Sequence, residues 1–139
     1  MGVFWRGLPI YLLDRSSDWL GPEAVAIETG TYLGDSAILI SQKFSKCTTI
    51  ELDVALANRA TQRLSKIQNI SVIQGTTREV LQEILPNRQT GLLVWLDAHF
   101  SGGITAGEDD KCPLMAEIKV IMDSRAKENT IVLIDDARA

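Results

Sequence analysis

The stretch Ala26–Ala37, AIETGTYLGDSA, starts as an apolar run, meets an acid at Glu28, and carries two glycines four apart, Gly30 and Gly34. Ser36 stands two places after the second glycine. An apolar run that ends on a glycine turn and passes at once into a helix-like segment reads as a buried strand feeding a helix. The rest of the chain repeats that unit. Up to Leu20 it is a helix or an irregular lead-in, punctuated by Gly21-Pro22. Ala24–Glu28 is the first strand, and Asp35–Phe44 is a helix with Ala37, Ile38, Ile40 and Phe44 available for burial. Cys47–Leu52 is a β-branched strand, and Val54–Ile67 brings Leu56, Ala60, Leu64 and Ile67 near helical spacing. Asn69–Gln74 is a third strand, and Thr76–Leu85 is a helix stopped by Pro86. Leu92–Asp97 is almost continuously apolar, which suits a strand buried on both faces. A polar, glycine-containing loop, Ser101–Lys111, leads to a helix opened by Pro113 that carries Leu114, Ile118, Ile121 and Met122. Thr130–Asp135 is a fifth strand.

Strict strand–helix alternation predicts an α/β fold. It is a Rossmann-like, doubly wound sheet of five parallel strands in the order 3-2-1-4-5, with helices on both faces and right-handed crossovers. The 139 residues, 45% of them hydrophobic, suffice for one domain spanning the whole chain with a core of its own. A formal net charge of −4 and the lack of any Lys/Arg cluster argue against a nucleic-acid partner. No apolar run reaches the roughly 20 residues of a membrane span. The apolar patch near the N-terminus is broken by Asp14 and Arg15 without a small-residue cleavage site. Cys47 and Cys112 are too few for a disulfide framework or a zinc site, and two free thiols fit the reducing cytoplasm.

In such sheets ligands sit beyond the carboxyl ends of the strands. The first strand ends in Glu28-Thr29-Gly30. Gly30 can turn the chain, Gly34 lets the helix start close to a ligand, and the Ser36 hydroxyl suits a carboxylate or phosphate; the plainer reading is a strand-to-helix turn that needs glycine for geometry. The second strand ends in Glu51, placed to accept the hydroxyls of a ribose, although Glu51 and Asp53 would equally suit a helix start. Gly75-Thr76-Thr77 ends the third strand, with either threonine an acceptable N-cap or a ligand contact. Asp97, Asp135 and Asp136 gather where the fourth and fifth strands end. Three such carboxylates call for a divalent cation with oxygen ligands, for solvent, or for pairing with Lys111 or Arg138. His99, the only histidine, is either a general base or a loop residue. Gly107–Lys111, GEDDK, reads as a solvated loop that could fold over a substrate.

ETGTYLGDSA followed by TIELD resembles the cofactor half of class I S-adenosylmethionine-dependent methyltransferases. More narrowly, Gly30-x-Tyr32-x-Gly34-x-Ser36 is similar to the motif of metal-dependent catechol, caffeoyl-coenzyme A and sugar O-methyltransferases. The resemblance implies that Glu28, Thr29, Gly30, Thr31, Tyr32, Gly34, Asp35 and Ser36 surround the methionine end of S-adenosylmethionine, with Ser36 on its carboxylate. It implies Glu51 on the ribose, with Leu52 beside it, and Gly75, Thr76 and Thr77 bordering the adenine. It makes Asp97, Asp135 and Asp136 ligands of magnesium, and Asp97 and His99 the catalytic pair. The implied chemistry is methyl transfer to a hydroxyl oxygen, with the metal lowering the hydroxyl pKa and the protein aligning nucleophile, methyl and sulfur. Phe100 stands where the catechol-type enzymes carry a lysine, and His99 is similar to the base of some sugar enzymes, so the expected acceptor is a sugar or vicinal diol. The family sheet closes with an antiparallel hairpin, whereas this chain stops three residues after Asp136. The expectation is therefore a piece of a longer protein, or a homodimer that covers the open edge. Two rivals remain at this stage. One is a non-catalytic module that binds S-adenosylmethionine, S-adenosylhomocysteine or a partner. The other is an NAD-binding domain, which Tyr32 disfavours by standing where the dinucleotide fingerprint has its second glycine.

Overall fold

The structure is a computed structural model that describes residues 8–85, 90–97, 113–124 and 128–135. Its elements in chain order are α1 (Ile10–Leu20), β1 (Val25–Thr29), α2 (Asp35–Ser41), β2 (Lys46–Glu51), α3 (Val54–Leu64), β3 (Ile70–Gln74), α4 (Thr77–Ile84), β4 (Leu92–Asp97), α5 (Pro113–Asp123) and β5 (Thr130–Asp135). The five strands form one parallel sheet in the order β3-β2-β1-β4-β5, as the alternation predicts.

Alternate residues of each strand feed two cores. On one face Ala24, Ala26, Cys47, Leu93 and Trp95 pack with Leu13 of α1, Ala37 and Ile40 of α2, and Ala60 and Leu64 of α3. On the other, Val25, Ile27, Ile50, Leu92, Val94 and Leu96 pack with Val80 and Leu81 of α4 and Ile121 of α5. Helices that follow β1 and β2 therefore lie on one side, and those that follow β3 and β4 on the other. That reversal puts the switch of winding between β1 and β4, the place beyond the strand ends where open sheets of this kind take their ligands. β4 shows the two-sided burial its sequence implies, with only Asp97 emerging.

The helices are shorter than their apolar patterns. α2 ends at Ser41, and Phe44 is carried inward by a turn whose N–H donates to the Ile40 carbonyl. α3 ends at Leu64 rather than Ile67, and Ala57 joins Ala60 and Leu64 on its buried face. Of the apolar residues that α5 carries, Ile121 is buried and Met122 is 58% exposed.

A candidate cofactor crevice at the carboxyl ends of the strands

The glycine turn after β1 has an unusual backbone. Gly30, Tyr32 and Gly34 all have positive φ, at 81°, 46° and 83°. Glycine adopts such angles freely; tyrosine does so only when held. The Tyr32 N–H donates to Glu51 Oε2 at 3.0 Å, and the Gly34 N–H donates to the Thr31 carbonyl at 2.8 Å. The other Glu51 oxygen, Oε1, accepts the Asp53 N–H at 3.0 Å. Glu51, nearly buried, thus ties the end of β2 to the turn after β1, and its remaining lone pairs are directed by two backbone amides.

The two glycines do different things. A Cβ on Gly30 would lie 3.6 Å from Asp97 Cβ, an ordinary contact, so Gly30 marks the point where the turn adjoins the end of β4. A Cβ on Gly34 would come within 2.9 Å of Leu64 Cδ1. The absence of a side chain at Gly34 is therefore needed for packing on α3, a reason distinct from the approach of a ligand.

Beneath the turn lies Glu28, fully buried. In β1 it is in register with Thr49 of β2 and Trp95 of β4. The Thr49 hydroxyl donates to Glu28 Oε2 at 2.7 Å, and the Thr31 and Thr49 hydroxyls share a further bond of 2.6 Å. Glu28 Oε1 has no hydrogen-bond partner among the described residues. Burial pushes the Glu28 carboxyl up to about 7; the Ser36 and Thr49 hydroxyls oppose the rise, and the charges of Asp97 and Glu51 add to it. Cys47, buried on the same face, is pushed well above its ordinary value by burial, so it is an inert core thiol.

Asp97 and Asp135 are neighbours in register at the ends of β4 and β5, and the Asp97 N–H donates to Thr29 Oγ1 at 3.1 Å. Asp136, His99, Phe100, Cys112 and the loop Ser101–Lys111 lie outside the described residues. Among the described residues no group of three metal-ligating side chains assembles, and no helix is long and apolar enough to cross a membrane.

At the end of β3, Thr76 is the N-cap of α4. Its hydroxyl accepts the Glu79 N–H at 3.4 Å and donates to the Glu79 carboxylate at 2.7 Å, a reciprocal cap. Burial raises the carboxyl of Glu117 on α5, an effect that the Thr77 hydroxyl opposes. Gly75 packs against Val80, and Asp53 caps α3 by accepting the Leu56 N–H. Leu52, 41% exposed, is held by its carbonyl, which accepts from Gln74 Nε2.

Three contributors were not found by sequence reasoning. Thr49, seen there only as β-branched, is recoverable from register because it stands opposite Glu28. Arg63 donates to the Leu33 carbonyl and, at 2.7 Å, to Asp35 Oδ1. Leu64 packs on Gly34. These last two lie about thirty residues from the turn, and no local pattern connects them.

No family model matches the chain, and no curated protein matches it. Solved structures do. S-adenosylhomocysteine-bound PaMTH1 of Podospora anserina aligns with a TM-score of 0.64 at 18% identity, over 90% of this chain and 50% of that one. A caffeoyl-CoA O-methyltransferase-like protein of Staphylococcus aureus gives 0.62 at 16% identity, over 91% and 56%. An rRNA methylase of Streptococcus thermophilus gives 0.61 at 11% identity, over 91% and 70%. This is the class I methyltransferase fold. The chain spans about half the length of the first two of these proteins. Within the methyltransferase fold, the crevice between β1 and β4 is the place where the glycine turn, Glu28, Glu51 and Asp97 converge.

Proposed function

We propose that the chain binds S-adenosylmethionine in this crevice and takes part in methyl transfer to a hydroxyl of a small molecule, a sugar or vicinal diol. One observation carries the reading: Glu51 holds the positive-φ turn of Tyr32 through its backbone N–H, so the acid suited to a ribose and the loop suited to an amino acid form one built unit. Glu51 would accept the ribose hydroxyls with lone pairs left over from its two amide bonds. Glu28 lies buried beneath the turn with Oε1 unpartnered among the described residues, so an ammonium group brought against it would favour its charged form, and Ser36 would offer a hydroxyl to the cofactor carboxylate. Leu52 supplies exposed apolar surface beside Glu51, where an adenine could lie.

Transfer would form a carbon–oxygen bond as the carbon–sulfur bond breaks, leaving neutral S-adenosylhomocysteine and one proton. His99 would take that proton. Asp97 and Asp135, in register at the ends of their strands, would supply two oxygen ligands of a divalent cation, with Asp136 as a third. Such an ion, when bound, would lower the pKa of the acceptor hydroxyl. The protein's own part is alignment along the β1–β4 crevice.

The test is calorimetric titration of S-adenosylhomocysteine into the protein, with magnesium and with EDTA. Labelled methyl transfer to a panel of diols, sugars and a structured RNA follows. Binding near micromolar with metal-stimulated transfer to a diol is expected. Binding without turnover, indifferent to magnesium, would favour a non-catalytic module. Label appearing in the RNA alone would overturn the choice of acceptor, and tight binding of NAD in place of S-adenosylhomocysteine would overturn the cofactor.

A further inference from the structure

Four consecutive residues of the glycine turn are held by α3 or by the acid that precedes it. Tyr32 is held through its N–H on Glu51, whose other oxygen binds the Asp53 N–H at the N-cap of α3. At the opposite end of the same helix, the Arg63 guanidinium spans two acceptors. One nitrogen donates to the Leu33 carbonyl and the other to the Asp35 carboxylate at 2.7 Å. Leu64, next in the chain, fills the space beside Gly34. The turn contains a tyrosine at positive φ, which relaxes unless it is held.

We infer that Arg63 is a positioning residue for the cofactor turn: by bridging Leu33 and Asp35 it holds the turn in its binding shape from outside the crevice. This rests on the cofactor reading above. A planar guanidinium suits the task, because its fork reaches two acceptors in fixed relative positions, which a single ammonium cannot do. Both partners are largely solvated, with side-chain exposures of 46% and 74%. Such a pair adds little to global stability. Its effect falls on local order in the turn.

The experiment compares Arg63→Ala, Arg63→Lys and Asp35→Asn in the full chain. It reads S-adenosylhomocysteine affinity by calorimetry, amide exchange at Tyr32–Asp35 by NMR, and urea stability. Arg63→Ala is expected to weaken binding about threefold to tenfold and speed exchange in the turn, with an unchanged urea midpoint. Arg63→Lys should recover part of the affinity. Where turnover is measured, KM for the cofactor should rise with kcat unaltered.

Asp35→Asn separates the clamp from simple attraction of an anionic ligand. Through the clamp it weakens binding, and it adds nothing on top of Arg63→Ala. If the Arg63 charge acted alone, removing the carboxylate would tighten binding instead. Unchanged affinity and exchange in Arg63→Ala overturn the inference. So does a loss of global stability that Arg63→Lys fails to repair. If the unmodified chain binds no S-adenosylhomocysteine, the cofactor reading falls, and exchange in the turn alone decides the clamp.

Discussion

Gly34→Ala tests why the second glycine is there. Two costs can be worked out. First, Gly34 sits at φ 83°, ψ 15°, a left-handed conformation that costs an L-residue about 1–2 kcal/mol. Second, the new methyl would meet Leu64, with Cδ1 at 2.9 Å, Cδ2 at 3.2 Å and Cγ at 3.3 Å. Leu64 is 2% exposed and packed in the core formed with α1 and α2, so it has little room to rotate away. Overpacking of this kind costs about 1–3 kcal/mol. The expected loss is therefore about 2–5 kcal/mol, read as a lower urea midpoint by circular dichroism.

The second background is Leu64→Ala. That substitution itself costs about 2–5 kcal/mol through its cavity, but it removes the atoms that the Gly34→Ala methyl would strike. Gly34→Ala should then add only the backbone part, about 1–2 kcal/mol. The double-mutant cycle should show coupling of about 1–3 kcal/mol. An equal cost of Gly34→Ala in both backgrounds would refute the packing argument. A Gly34→Ala protein of undiminished stability that no longer binds S-adenosylhomocysteine would show that the glycine serves the ligand directly.

Glu28 makes stability depend on pH in a stated direction. Its folded pKa, about 7, lies above the unfolded value near 4.5, so the native state keeps a proton that the unfolded chain has lost. Stability should fall as pH rises from about 4.5 to about 7 and level off above, by up to roughly 3 kcal/mol. Urea midpoints at pH 5 and pH 8 should diverge less in Glu28→Gln; equal slopes in both proteins would sink the assignment. Glu51→Gln sets an amide donor against one of the two backbone N–H groups now bound. It should weaken S-adenosylhomocysteine binding at least about tenfold. Unaltered affinity in calorimetry would remove Glu51 from the site. Asp97→Asn keeps the backbone N–H that bonds Thr29 while removing the carboxylate charge proposed to hold a cation. It should abolish any magnesium stimulation of methyl transfer and leave cofactor affinity within about twofold; stimulation that persists would exclude Asp97 as a ligand.

What the chain reveals in sequence and what it conceals follow from the range of the forces involved. β4 has the bounds its composition implies, because a strand buried on both faces has no polar residue until it leaves the sheet; β5 also has its expected bounds, although as an edge strand it is only half-buried. The other strand ends were legible to within a residue: β1 runs one residue past Glu28 to Thr29, and β2 stops at Glu51, one before Leu52. Helix ends were less so. Phe44 and Ile67 continue an apolar period that the backbone has already left, because a turn can bury a side chain as well as a helix can.

The site divides along the same line. Glu51 was legible as an acid at a strand end, but its grip on the Tyr32 N–H is a contact between residues 19 apart that no periodicity encodes. Gly34 is the sharper case. A glycine in a motif invites the thought of a ligand, yet the nearest obstacle to a side chain there is Leu64, thirty residues on and part of the ordinary helical stripe of α3. One helix therefore serves two purposes with adjacent residues, Leu64 inward on the turn's glycine and Arg63 outward on its carbonyl and carboxylate. A turn so enclosed can keep a tyrosine at positive φ. The shape of the crevice is then a consequence of how α3 packs, and substitutions that shift α3 should alter ligand affinity even where no ligand touches it.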